Sequence, residues 1–65
     1  LSFIDDYREA WEIRMRLALV AAAEQFARYA DYHLAKEPPD QEKAAVNVEW
    51  AARCREAADA PDTVA

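Results

Sequence analysis

Apolar side chains recur every three or four residues through most of this chain, and that spacing predicts helices. At about 100° per residue, Ile4, Tyr7, Trp11, Met15, Ala18, Ala22, Phe26 and Tyr29 fall on one stripe. Ser2 with Asp5 three residues on gives a capping-box start, and Asp6 adds negative charge near the positive helix end. Pro38 is the first residue that disfavours continuation, so the pattern predicts a first helix over residues 2–36. The segment Glu37-Pro38-Pro39-Asp40 is the predicted turn, and Asp40 is a suitable N-cap. A second helix is expected over 41–58, with Pro61 ending it and 59–65 as a tail. Its stripe is Val46, Trp50, Cys54 and Ala57. The expected fold is all-α: an antiparallel helical hairpin in one domain, with one long and one shorter arm.

The expected packing follows from the two stripes. Ile4, Tyr7, Met15, Ala18, Ala22 and Tyr29 should meet Val46, Trp50 and Cys54, with the Trp50 indole seated among alanines of the first helix. The stretch LALVAAA (residues 17–23) then poses a problem, because it is apolar all the way round. A helix without a polar face is a buried helix. The second helix is too short to cover both sides of the first. Phe3, Trp11, Ile13, Leu17, Val20, Ala21 and Phe26 are therefore expected to face another protein chain, with the large rings as anchors.

Composition sharpens this expectation. The chain has 65 residues, no glycine and many alanines, which suits helices and not glycine-turned sheets. A chain so short has a marginal core and usually needs a disulfide, a metal or a partner. One cysteine, Cys54, makes no internal disulfide, and one histidine, His33, with that cysteine falls short of a zinc set. No cofactor or metal is expected. By elimination the staple is a partner chain: other copies of this one or other proteins.

Charge narrows the partners. The net charge is −5, and the arginines are scattered among acids, so a nonspecific phosphate-binding surface is not expected. The longest apolar run, Leu17–Ala23, is far short of the roughly 20 residues of a membrane span. The first residues carry acids where a secretory leader carries bases, so a cytoplasmic setting is expected.

No constellation demands chemistry. Asp5, Asp6 and Glu9 complement a helix dipole. Glu12–Arg16, Glu24–Arg28 and Glu49–Arg53 have the i, i+4 spacing of exposed ion pairs. Cys54 lies on an apolar stripe, whereas a catalytic thiol needs an electropositive setting and a base. His33 is the one histidine, and a tight hairpin leaves its distance from Cys54 open. No catalytic residues are assigned, and an enzyme is not expected.

The strings RMRLALVAAAEQFARYA and NVEWAARCREAADAPDTVA resemble small proteins of tailed-bacteriophage virion gene clusters. Leu19-Val20-Ala21-Ala22-Ala23-Glu24 carries the first part of the likeness, and Trp50-Ala51 with Pro61-Asp62 the second. Cys54 departs from it, standing where those proteins are usually aliphatic. The resemblance implies a non-enzymatic, multi-copy virion component of the head, the head–tail junction or the tail, assembled in the host cytoplasm. The competing expectation is a free-standing homodimeric four-helix bundle that acts as a regulator or adaptor for a protein or nucleic-acid partner.

Overall fold

The computed structural model describes residues 2–59, and of Ser2 only the backbone. The described residues form two helices, α1 (Ser2–Leu34) and α2 (Gln41–Asp59), and the turn between them. They pack against each other as an antiparallel hairpin 58 Å long. The cap expected from the Ser2 side chain, the stop at Pro61 and the rest of the tail at 60–65 lie outside the described residues.

α1 ends at Leu34, before the prolines are reached. Its last carbonyls are taken by the turning chain: the Ala35 amide donates to Asp31 and Tyr32, and the Asp40 amide donates to His33 at 2.9 Å. These bonds satisfy acceptors that a helix end otherwise leaves orphaned. α2 starts with a side-chain cap, the Lys43 amide donating to Asp40 Oδ1 at 3.0 Å.

The seam between the helices is made of alanine. Ala23 and Ala30 of α1 and Ala44, Ala51 and Ala58 of α2 are the buried apolar residues. They recur at sevens, which is the spacing of a coiled-coil seam rather than that of a straight amphipathic helix. Asn47 and Cys54 fill the intervening α2 positions, half-buried, as do Leu19, Phe26 and His33 on α1. Small residues at each seventh position let helices approach at the short end of the about 8–10 Å range.

The register follows from contacts at both ends. His33 meets Asp40 beside the turn, and Arg16 meets Ala58 at the far end. Met15 is thus level with Asp59, and no described residue stands opposite Ser2–Arg14. That overhang is roughly 20 Å of helix at 1.5 Å per residue.

This seam differs from the packing expected of the bulky stripes. Ile4, Tyr7, Met15, Ala18, Tyr29 and Val46 are exposed, and Trp50 is 48% exposed. Ala22 and Cys54, from the same expected set, are half-buried at or beside the seam. Each helix is turned roughly a quarter-revolution from its bulky stripe, counting 100° per residue. In antiparallel helices those two rotations swing both stripes to the same side of the hairpin.

Candidate functional site

Two broad faces flank the alanine seam. The front is marked by Phe26 and Trp50, whose rings stack across the hairpin with centroids 6.3 Å apart. Phe26, expected to anchor a partner, thus already has a partner in its own chain. Trp50 is not seated among alanines; it lies over their edge, with Arg53 above its ring at 5.4 Å. On α1 the front continues through Ala22, Ala18, Met15, Trp11, Tyr7 and Ile4 into the overhang.

The rear is marked by a shallow groove between the helices, lined by Ala27, Asp31, Leu34, Val48, Ala52 and Arg55. Val20 and Ile13 extend that side along α1, with Leu17 at its outer edge; all three are exposed. Ala21 and Phe3 are exposed as well. LALVAAA therefore serves three directions: Leu19 and Ala23 enter the seam, Ala18 and Ala22 the front, and Val20 the rear.

The charges divide between the faces. Arg8 and Arg14 flank Tyr7 and Trp11 at the front of α1, and Lys43 and Arg53 flank Trp50 on α2. On α2 each of these cations has an acid beside it, Arg53 with Glu49 at 3.2 Å and Lys43 with Asp40 at 3.9 Å, whereas among the described residues no acid lies within ion-pair distance of Arg8 or Arg14. Asp6, Glu9, Glu24 and Asp31 share the rear of α1 with Ile13 and Val20, and Asp59 joins them from α2 beside Arg55. Along α1 the scattered charges thus divide into an aromatic side with Arg8 and Arg14 and an aliphatic side with Asp6, Glu9, Glu24 and Asp31, whereas on α2 they balance locally. Linear spacing hid this division because the quarter-turn of each helix decides which side a charge joins.

The expected ion pairs form in part. Arg53 meets Glu49 at 3.2 Å. Arg28 donates to Gln25 at 3.3 Å, and Arg16 reaches across the hairpin to the Ala58 carbonyl.

The residues weighed for chemistry are not brought together. Cys54 is level with Leu19, whereas His33 is level with Asp40 beside the turn. Fourteen helical residues separate the two levels, roughly 20 Å along the axis. His33 stacks edge-on against Tyr32 at 5.3 Å, and its Nδ1 is buried without a hydrogen-bond partner. Among the described residues no group of three or more His, Cys, Asp or Glu is placed to hold a metal ion. No described helix is long and apolar enough to cross a membrane.

No known protein family, curated protein or solved structure gives a match to this chain.

Proposed function

We propose that this chain is a non-enzymatic assembly subunit, a helical hairpin that acts by packing its broad faces against neighbouring chains. The observation that carries the reading is an inversion of burial. The seam buries only alanines, and among the described residues no large side chain is fully enclosed, while Tyr7, Trp11, Leu17 and Trp50 stand about half or more exposed. Alanine burial contributes little, because hydrophobic stabilisation scales with apolar area at about 25 cal/mol per Å². The large apolar area, and with it most of the available energy, lies on the outside.

The exposed rings alone are substantial. At roughly 200 Å² for a buried aromatic side chain, the open fractions of Tyr7, Trp11, Tyr29 and Trp50 leave about 400 Å² uncovered. The largest apolar patch on an ordinary monomer is about 300–600 Å² in total. Ile4, Met15 and Val46 extend the same face further.

The resemblance to virion gene-cluster proteins makes the virion the proposed setting, with the chain in many copies at the head, the head–tail junction or the tail. Multi-copy use suits a hairpin that exposes apolar side chains on both of its faces.

Light scattering with circular dichroism on the isolated chain tests this reading. A subunit completed by neighbours self-associates as concentration rises, or stays poorly helical when alone. A fully helical single chain, unchanged from micromolar to millimolar, would overturn it.

A further inference from the structure

The two faces of the hairpin are complementary to each other. The front offers Tyr7, Trp11 and Trp50, with Arg8 and Arg14 beside the first two, while Arg53 and Lys43 on α2 are balanced by Glu49 and Asp40. The rear offers Ile13, Val20 and Val48, with Asp6, Glu9, Glu24 and Asp31 along α1 and Asp59 beside Arg55 on α2. Two fronts brought together would set the α1 arginines, Arg8 and Arg14, against cations. Two rears would set acid against acid. Front against rear sets Arg8 and Arg14 against the acids of α1 and buries apolar side chains from both.

We propose that copies of this chain stack front to back, the aromatic face of one, basic along α1, covering the aliphatic face of the next, acidic along α1. The inference rests on the assembly reading and names its partner as a second copy. Stacked in the same direction, Arg8 of one copy lies level with Asp6 and Glu9 of the next, and Trp11 lies against Ile13. The overhang of α1, which no described part of α2 covers, is then covered by the overhang of a neighbour. Such a contact is heterologous: each copy keeps a free front at one end and a free rear at the other. It generates a ring where the rotation closes and a filament where it does not. A second copy also fits the charge better than a nucleic acid does, since the chain carries a net −5 that would repel phosphates from all but the front.

A mixing experiment separates this geometry from its rivals. One variant loses the front (Tyr7→Glu with Trp11→Glu) and another loses the rear (Ile13→Lys with Val20→Lys). Sedimentation and circular dichroism follow each alone and an equimolar mixture. Front-to-back stacking predicts that the wild-type chain grows beyond a dimer as concentration rises. Each variant alone should stay at the mass of one chain. The mixture should give a capped pair, because one intact front meets one intact rear. Pairing restores helicity as well as mass, so a variant that is poorly helical on its own still responds in the mixture. Arg8→Glu with Arg14→Glu should weaken wild-type association about tenfold or more and reduce its salt dependence.

A rear variant that still dimerises, with no pairing in the mixture, would overturn front-to-back stacking in favour of a symmetric dimer while leaving the assembly reading standing. A wild-type chain that stays single and poorly helical at every concentration would do the same, with the partner then a different protein. A single chain that is fully helical at every dilution would overturn both. Tight binding of a single-stranded oligonucleotide at about 0.15 M salt, with no self-association, would overturn the stacking and assign the basic front to nucleic acid.

Discussion

Arg16 Nε donates to the carbonyl of Ala58, 3.2 Å away across the hairpin and 42 residues on in the chain. The contact lies where the alanine seam ends and the overhang of α1 begins. It places a cation at the negative end of α2 and satisfies one of the carbonyls that a helix terminus leaves without an intrahelical donor. It also closes the register, because Ala58 can meet Arg16 only if Ala51 meets Ala23 and Ala44 meets Ala30. Replacing Arg16 with Met keeps much of the stem and removes the donor. The expected cost is about 1 kcal/mol, with faster amide exchange concentrated in the last two turns of α2. Exchange that accelerates uniformly along both helices would deny the contact this local role.

The seam makes a second prediction, opposite in sign to usual core design. Ala23 is 0% exposed and faces Ala51 in the register. Enlarging either side chain gains apolar area yet forces the helices apart. Ala51→Leu should destabilise the hairpin by about 1–3 kcal/mol, whereas Ala52→Leu, one position outside the seam, should not. Chemical unfolding of the two variants side by side checks this. Equal stability would mean that the helices do not close on alanine.

Asp40 supports the start of α2 through the bond from the Lys43 amide. Its approach to Lys43 Nζ at 3.9 Å is largely solvent-exposed and adds little. Asp40→Ala should cost about 1 kcal/mol and Asp40→Ser much less. A loss for Asp40→Ala that disappears in high salt would point to the ion pair and against the cap.

How much of this was legible in the sequence depends on which side chains are weighed. The two helices, the break between them and the antiparallel pairing follow from alanine content, the absence of glycine and the prolines at 38 and 39. The seam did not follow, because the largest apolar residues were given the job of packing. Ile4, Tyr7, Met15, Tyr29 and Val46 form a good stripe at a helical period, yet they line an outer face. The overlooked signal is the seven-residue recurrence at Ala23 and Ala30, and again at Ala44, Ala51 and Ala58. A period of seven tracks a seam that winds around its partner, and a straight-helix count drifts about 20° per heptad away from it. Phe26 shows the consequence for the site. It sits at the border between seam and front, so a single projection cannot say whether it serves its own chain or a neighbour, and the structure gives it to Trp50.

The same rotation explains why the electrostatic faces were invisible. Arg8 and Arg14 are separated in sequence by Glu9 and Glu12, which lie off the aromatic stripe. Only the closed hairpin sorts them. The Phe26–Trp50 stack reports that closure optically, since it brings a ring of α1 onto one of the two tryptophans. Phe26→Ala should shift Trp50 emission to the red while costing about 0.5–1.5 kcal/mol; unchanged emission in a Trp11→Phe background would place the indole elsewhere.

The hairpin closes on alanines and holds its large apolar side chains outside, and the proposed role requires another chain to cover them. The most direct test is thermal unfolding followed by circular dichroism at two concentrations a hundredfold apart. Stability supplied by neighbours makes the midpoint rise with concentration, and the more dilute sample should melt several degrees lower or without a cooperative transition. A sharp midpoint, identical at both concentrations, would show that the hairpin is self-sufficient and contradict the account.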